Sequence, residues 1–223
     1  MAEPTLAELV KGYKETYPPA ITDILDFQFD LRNQWLGPDI KPLAPDMRVA
    51  GPAFTIRWVN DPTPATVEYR KMVAEMMDAL GEFMVPTIDS SKCPNAGYWG
   101  ELMCTFCRKR GIEGAVIDGG VRDAYYILND GFNLFATFSC PLEANTRSRI
   151  ESYQQPIFIN DVLIRPGDFV VGDVGGLVVV PKEIVVKVYY KAMELQAQES
   201  ETRRMIRAGA SVAEITADGT KGL

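Results

Sequence analysis

The chain has 223 residues, 47% of them hydrophobic and 24% charged, which fits one globular domain with a sizeable buried core. Its net charge of −7 disfavours a nucleic-acid partner, and the absence of histidine excludes Ser-His-Asp catalysis and His-ligated zinc. The sequence contains no apolar run long enough for a membrane span, and its acidic N-terminal segment lacks the apolar core of a secretory signal. We therefore expect a cytoplasmic protein without membrane contacts.

The N-terminal third of the chain predicts helices around one strand. Residues 5–32 have helical spacing, and Thr5-Leu-Ala-Glu8 is a candidate capping box at their start. Residues 48–57 predict a strand that a Gly-Pro pair interrupts. Residues 66–80 predict a helix, and we assign its methionine stripe to the hydrophobic core rather than to a binding surface.

The middle third alternates between short apolar runs and amphipathic segments. We predict strands at 83–88, 114–118 and 132–138, helices at 97–110 and 121–129, and a turn at Gly119-Gly120. Such alternation is typical of an α/β fold in which helices cover a sheet that is at least partly parallel.

The C-terminal third is rich in predicted strands until a long helix begins. Four short strands lie between residues 156 and 180, and Gly172–Gly176 is a turn between two of them. Pro181 is predicted to open a helix that spans about 182–208. Since no repeat or domain boundary is evident, we predict one domain over residues 1–223.

The four cysteines do not suggest a metal or disulfide framework. Cys104 and Cys107 form a CxxC pair, but no second pair completes a four-thiolate zinc site. Because this pair lies in a helical pattern, we predict that both are buried small hydrophobic residues.

Two helix N-termini that follow glycines mark the candidate site. Gly97 and Gly100 precede the first, where the backbone amides near Leu102 and Met103 can face an anion. The Gly119-Gly120 pair lets a ligand approach the end of a predicted strand, which is where α/β sheets usually bind ligands.

Arg122 and Asp123 follow this glycine pair and carry the candidate chemistry. Arg122 offers a planar fork for a carboxylate or oxyanion, and Asp123 offers a hard oxygen ligand for Mg²⁺. The alternative is structural: Asp123 complements a helix dipole and Arg122 is its ion-pair partner. Asp118 also has a functional and a structural interpretation: it orients groups of the site, or it is a turn-forming residue before glycine.

Several segments together resemble the RraA-like family, which includes 4-hydroxy-4-methyl-2-oxoglutarate aldolases and regulators of RNase E. The resemblance runs from about residue 22 to residue 209, and its RGxxGxVxDGxxRD core is specific. The matching segments are TDILD (22–26), PLAPDMRVAGPAFTI (42–56), WGELM (99–103), RGIEGAVIDGGVRD (110–123), GFNLF (131–135), VLIRPGDFVVGDVGGLVVVP (162–181) and a late helix with Glu199 and Arg203.

The resemblance implies a fold, an assembly and a reaction. The fold is an α/β/β/α sandwich with helices packed on mixed sheets, and the assembly is a homotrimer or homohexamer with shared active sites and the C-terminal helix at a subunit interface. The reaction is carbon–carbon lysis that depends on Mg²⁺ or Mn²⁺: cleavage of a 4-hydroxy-2-oxo acid to pyruvate, or decarboxylation of oxaloacetate, through a metal-stabilised enolate.

The resemblance also implies residue roles. Asp123 would hold the metal, Arg122 would contact the pyruvyl group, and Gly100 with the amides of Leu102 and Met103 would bind the carboxylate. Glu199 would complete a neighbouring subunit's site. Glu101 is a second catalytic candidate and departs from the family pattern, since active relatives tend to have Asp twenty residues before the Arg-Asp pair.

Two alternatives remain open on the sequence. The chain could be a non-catalytic regulatory or binding protein of the same family, although such a protein would not need Arg122, Asp123 and an acid at position 101. It could instead use the same metal site to hydrate or hydrolyse another small substrate.

Overall fold

The computed structural model describes residues 3–216. Its helices are α1 (Leu6–Glu15), α2 (Pro18–Phe29), α3 (Val67–Asp78), α4 (Glu101–Lys109), α5 (Ala124–Asp130), α6 (Val185–Arg207) and α7 (Val212–Thr216). Its strands are β1 (Lys41–Pro42), β2 (Val49–Asn60), β3 (Val85–Asp89), β4 (Gly97–Trp99), β5 (Gly114–Val121), β6 (Asn133–Ser139), β7 (Ser148–Tyr153), β8 (Ile157–Ile159), β9 (Val162–Ile164), β10 (Phe169–Asp173) and β11 (Gly176–Val180).

A mixed sheet forms the centre of the fold. Its strand order is β1-β6-β5-β3-β2-β10-β11, with β4 paired to β5 and β7 paired to β2. The neighbours β2, β3, β5 and β6 are parallel, whereas β10 and β11 are antiparallel to their neighbours. The carboxyl ends of β3, β5 and β6 therefore lie at one edge of the sheet.

The long strand β2 joins two halves of this sheet. Residues 49–52 pair with β10, and residues 53–57 pair with β3. The predicted Gly-Pro interruption lies inside β2, at the passage from one half to the other.

Alternation along the strands gives the molecule its layers. In β5, Ile117 faces a core shared with α3, α4 and α5, whereas Val116 faces an inner core between the two halves of the sheet. In β11, Val179 faces the same inner core, and Val178 packs towards α1, α2 and α6. Helices thus cover two facing sheet layers, and the predicted α/β/β/α sandwich is confirmed.

Most predicted helices and strands are present, but some predicted boundaries were wrong. The capping box of Thr5 and Glu8 opens α1 as predicted, and both Cys104 and Cys107 are buried and free. Residues 97–99 are a strand rather than the first turn of a helix, because they pair with β5. Pro181 lies before α6 rather than opening it, and β7 was not predicted.

Within residues 3–216, no helix is both apolar and long enough to cross a membrane.

Candidate active site

The glycine pair before the site lies inside β5 and does not form the predicted turn. The ladder to β6 shifts register between Ile117 and Gly120, and the strand continues to Val121. A Cβ on Gly119 would lie 2.0 Å from Ser90 Oγ, and one on Gly120 would lie 2.2 Å from the Ala96 carbonyl oxygen. Because both distances are below any tolerable contact, this irregular strand end requires glycine.

Asp123 follows this strand by two residues, as the N-cap of α5, and has a left-handed backbone conformation with φ 60°. Its side chain makes no capping hydrogen bond to α5, the helix that it precedes. Instead its Oδ2 lies 3.4 Å from the Glu101 backbone N and 3.5 Å from Arg122 Nε. The carboxylate therefore faces the N-terminus of α4 and pairs with Arg122. These contacts also fit the structural alternative, in which Asp123 complements a helix dipole and Arg122 is its ion-pair partner, although the helix is α4 rather than α5.

Gly100 lets α4 begin close to this carboxylate. A Cβ at Gly100 would lie 2.9 Å from Asp123 Oδ2 and 3.3 Å from Arg122 Cγ. As the N-cap, Gly100 precedes amides that have no acceptor within the helix, among them those of Leu102 and Met103. The helix thus offers an anion-binding end beside Asp123.

One cavity of about 250 Å³ brings together five of the predicted residues, Gly100, Leu102, Met103, Arg122 and Asp123. Its floor and walls come from the ends of β4 and β5, the start of α4, one side of α3, and the segment after β6. The lining residues are Trp58, Val73, Met77, Gly97, Tyr98, Trp99, Gly100, Leu102, Met103, Arg122, Asp123, Glu143, Ala144, Asn145 and Ile150. The methionine stripe of α3 is divided, since Met76 is in the core and Met77 lines this cavity.

Glu143 is a site residue that the sequence analysis missed. One of its carboxylate oxygens accepts a hydrogen bond from Arg122 Nη1, and the other accepts one from Asn145 Nδ2 at 2.8 Å. Glu143 follows β6, and β6 is parallel to β5, so their carboxyl ends meet. That adjacency was the available signal, because the PLEAN segment (141–145) carries no motif of its own.

Comparison with known proteins identifies the family. The family model for RraA-like proteins, described as Aldolase/RraA, matches residues 19–179. The chain belongs to the RraA-like family.

Relatives in this family carry different names. A Halalkalibacterium halodurans protein named "Putative 4-hydroxy-4-methyl-2-oxoglutarate aldolase" is 30% identical over 199 residues, which are 89% of each chain. Protein DlpA of Legionella pneumophila is 27% identical over 179 residues, 80% of this chain but only 29% of DlpA.

Solved structures show the same fold. One solved structure is described as a novel cellulase from microbes associated with the gut ecosystem. It matches with TM-score 0.85 and 32% identity, and the match covers 90% of this chain and 89% of the other chain. Another is Streptomyces coelicolor RraAS2, described as an unusual member of the RNase ES inhibitor RraA protein family. It matches with TM-score 0.79 and 22% identity, and the match covers 91% of this chain and 98% of the other chain. At this identity the likeness concerns the fold alone.

The two glutamates that the family resemblance suggested lie outside the cavity of this one chain. The Glu101 carboxylate accepts a hydrogen bond from Thr105 Oγ1 at 2.8 Å on the exposed side of α4. The Glu199 carboxylate, on α6, contacts the Tyr17 hydroxyl and lies 3.0 Å from Arg203 Nη2. Any role of Glu199 in this RraA-like site would therefore be exerted in a neighbouring subunit.

Asp118 is outside the cavity lining and is paired in register with Asp89 of β3. Burial raises its pKa to about 6, and the charges of Asp89 and then Asp39 add to the effect. Its backbone carbonyl accepts hydrogen bonds from the Ser90 N–H and hydroxyl groups, at 3.2 and 2.8 Å. Asp118 thus holds the β3 end against β5 and is not a turn residue.

The donor set at the cavity fits a hydrated Mg²⁺ better than a fully ligated metal. No group of three Asp, Glu, Cys or His side chains suited to a metal occurs in residues 3–216. Asp123 nevertheless presents a half-exposed carboxylate at the rim, held by the Glu101 amide. Mg²⁺ commonly binds through one or two carboxylates and retains several waters, so a single aspartate is a sufficient protein ligand.

Proposed function

We propose that this RraA-like chain is a divalent-metal-dependent carbon–carbon lyase. It cleaves a 4-hydroxy-2-oxo acid to pyruvate, and the same site decarboxylates oxaloacetate. The observation that carries this proposal is that the Arg122 fork, the Asp123 carboxylate and the free amides of α4 face one cavity of substrate size. The aldolase name of the Halalkalibacterium halodurans relative supports it.

Substrate binding would use the two anion-binding features of the cavity. The α-carboxylate is placed at the amides of Leu102 and Met103, where the helix dipole favours a negative charge. The Arg122 Nη2 edge makes no hydrogen bond within residues 3–216, so it is available to the keto oxygen.

The ion pair of Arg122 with Glu143 would not prevent this. Both side chains are more than one-third exposed, so the pair contributes about 1 kcal/mol or less to stability. A substrate oxygen can therefore share or replace the Glu143 contact at small cost. Glu143, itself held by Asn145, positions the guanidinium before substrate arrives.

Asp123 is the proposed protein ligand of Mg²⁺ or Mn²⁺, with water as the remaining ligands. When bound there, the ion supplies Lewis-acid polarisation of the keto oxygen. The protein's own part is to hold that oxygen beside Arg122, where negative charge develops as the adjacent carbon–carbon bond breaks. Placing a fixed donor at developing charge is usually the largest single contribution to catalysis.

Proton transfer in a chain without histidine falls to carboxylates and water. The C4 hydroxyl must lose its proton as the C3–C4 bond breaks, and C3 must gain one. Glu143, the carboxylate that lines the cavity beside the proposed metal ligand Asp123, is the proposed group within one subunit. Glu101 and a Glu199 from a neighbouring subunit are the further proposed groups, acting through a water.

The testing experiment measures pyruvate release from 4-hydroxy-4-methyl-2-oxoglutarate and from oxaloacetate. Activity is expected with Mg²⁺ or Mn²⁺, should vanish in EDTA, and should return when the metal is restored. Asp123→Asn should weaken activation by Mg²⁺ sharply, whereas Asp130→Asn, which removes an aspartate paired with Arg108, should not.

Two results would contradict the proposal. Full activity in EDTA after exhaustive dialysis would refute metal dependence. No turnover of any 2-oxo acid under metal-replete conditions would favour a non-catalytic regulatory protein, or a hydratase or hydrolase of another substrate.

A further inference from the structure

We infer that Asn145 is a positioning residue of this site, which fixes the Glu143 carboxylate so that Glu143 holds the Arg122 guanidinium ready for the developing oxyanion. This inference rests on the proposed function and names the residue on which the orientation of Arg122 depends. It comes from a chain of hydrogen bonds that connects the loop between β6 and β7 (residues 140–147) to Arg122.

Asn145 holds one oxygen of the Glu143 carboxylate with two donors. Its backbone N–H donates to Glu143 Oε1 at 3.3 Å, and its side-chain Nδ2 donates to the same oxygen at 2.8 Å. The other oxygen, Oε2, accepts a hydrogen bond from Arg122 Nη1. Two donors on Oε1 restrict the rotatable bonds of the glutamate side chain, so Oε2 stays directed at Arg122. Asn145 therefore acts on Arg122 through Glu143.

The loop that carries Asn145 is bonded to the rest of the site through its backbone. The Leu142 carbonyl oxygen accepts a hydrogen bond from the Gly97 N–H at 2.9 Å, and the Glu143 carbonyl oxygen accepts one from Arg147 Nη1 at 2.8 Å. Gly97 in turn lies against the stem of Arg122, since a Cβ on Gly97 would be 2.8 Å from Arg122 Cβ. These contacts fix the backbone of Glu143 beside Arg122 and leave only the carboxylate to be oriented.

The ion pair of Glu143 with Arg122 needs this additional support. The two side chains are 39% and 37% exposed, and ion pairs at such exposure are weak because water competes for both charges. Asp123 approaches Arg122 Nε only to 3.5 Å, and Asp123 is also the proposed metal ligand. A donor is most effective in catalysis when it is already held where charge develops. Asn145 provides this preorganisation by fixing the partner of Arg122.

Turnover gives the first test. Asn145→Ala should lower kcat for pyruvate release about 10-fold and change KM by less than about 3-fold, because the orientation of Arg122 matters most in the transition state. Thr146→Val is the matched control in the same loop, since the Thr146 hydroxyl donates to the Glu143 carbonyl oxygen at 3.3 Å and not to the carboxylate. It should keep the wild-type kcat. No loss in Asn145→Ala, or an equal loss in both variants, would overturn the inference.

Binding of oxalate tests the orientation of Arg122 apart from chemistry. Oxalate is a dianion that resembles the pyruvate enolate and cannot be cleaved in this reaction, whereas pyruvate has a neutral keto oxygen. In calorimetric titrations with Mg²⁺ present, Asn145→Ala should weaken oxalate binding about 10-fold and pyruvate binding less than about 3-fold. Equal weakening of both ligands, or of neither, would contradict a specific effect on the charged oxygen.

A double substitution tests the contact between the two side chains. Asn145→Asp places two carboxylates face to face and should weaken oxalate binding more than Asn145→Ala does. Adding Glu143→Gln supplies an amide whose N–H can donate to the new carboxylate and whose oxygen can accept from Arg122. The double variant should therefore bind oxalate at least about 10-fold more tightly than Asn145→Asp. No recovery in the folded double variant would count against the inference.

The double variant is compared by binding and not by turnover, because Glu143 is also a proposed proton-transfer group. Asn33→Asp controls for the added negative charge, since Asn33 is an exposed asparagine outside the cavity that donates to the Asp161 carbonyl oxygen at 3.1 Å. It should bind oxalate as the wild type does. Weakening by Asn33→Asp equal to that by Asn145→Asp would show that net charge is the cause and would refute the inference.

These outcomes separate the inference from the proposed function. Wild-type turnover, with kcat and oxalate affinity unchanged in Asn145→Ala, would refute the positioning by Asn145 and leave the lyase intact. Oxalate binding that depends on Asn145, without turnover of any 2-oxo acid, would refute the lyase and support the positioning of Arg122. Absence of oxalate binding by the wild type would refute both.

Discussion

Arg122 and Asp123 are neighbours in sequence, yet their charged ends meet at one cavity rim. Adjacent side chains of a regular strand face opposite sides of a sheet. Here the left-handed backbone of Asp123 (φ 60°) turns its carboxylate back towards Arg122 Nε. This local conformation, unusual for a residue other than glycine, makes one site from two consecutive residues.

Replacing the guanidinium of Arg122 by an ammonium group should distinguish the effect of its positive charge on kcat from the effect of its planar donor geometry. Arg122→Lys keeps the positive charge but loses the planar donors, so we expect kcat for pyruvate release to fall about 10²-fold or more. Arg108→Lys, on the outer face of α4, is the matched control and should retain activity. Full turnover by Arg122→Lys would show that Arg122 does not stabilise the developing oxyanion.

Asp118 should make the folded state sensitive to pH. Because its folded pKa, about 6, is higher than the ordinary value for Asp, the folded state binds this proton more tightly than the unfolded chain does. Its contribution to stability is fully present below pH about 4 and is lost as pH rises through about 6. Above that range the buried charge is a net cost.

Asp118→Asn should therefore raise the free energy of unfolding at pH 8, by about 1 kcal/mol once solvent screening of this partly exposed group is included. At pH 4 the gain should disappear. Urea denaturation at both pH values measures the difference, and Asp23→Asn on the exposed side of α2 controls for the loss of one negative charge. The same gain at both pH values would show that Asp118 ionisation is not the cause.

At the scale of elements, the start of α4 and the end of β5 must approach closely. Gly100→Ala would place a methyl group 2.9 Å from Asp123 Oδ2, so Asp123 or Arg122 must move. We expect kcat/KM for pyruvate release to fall about 10-fold or more, while stability changes by about 1 kcal/mol or less. Gly81→Ala, whose new methyl group would lie 3.5 Å from flexible Met84, is the control. Wild-type activity in Gly100→Ala would mean that this contact does not set the site geometry.

At the scale of the whole molecule, Glu199 lies on the far side of the fold from the cavity wall formed by α3 and α4. The long helix α6 packs with α1 and α2. If neighbouring subunits share sites, as the family resemblance implies, an inactive Glu199→Ala protein mixed with an inactive Arg122→Ala protein should regain activity after subunit exchange. Hybrid assemblies then contain sites in which both residues are intact.

The mixing experiment needs proof that subunits exchange, for example from differently tagged chains that co-purify. Each variant incubated alone is the control and should remain inactive. Exchange without any regain of pyruvate release would place Glu199 outside a shared site.

Sequence alone determined much of the fold. The α/β alternation, the capped first helix, the buried cysteines and the Arg-Asp pair after a glycine-rich strand follow from local rules of periodicity, capping and backbone freedom. These rules depend on residues close in the chain, so a single sequence displays them. Family membership was likewise recognisable, because RGIEGAVIDGGVRD (110–123) is a contiguous motif.

Tertiary structure decided the features that depend on distant partners. Residues 97–99 form a strand because β5 supplies hydrogen bonds, although their own pattern suited a helix. Glu143 joins Arg122 because parallel strands end together, and Met77 lines the cavity while Met76, one residue away, is buried in the core. The free energy of these contacts comes from groups far apart in the chain, so only the folded arrangement assigns each side chain to the core or to the site.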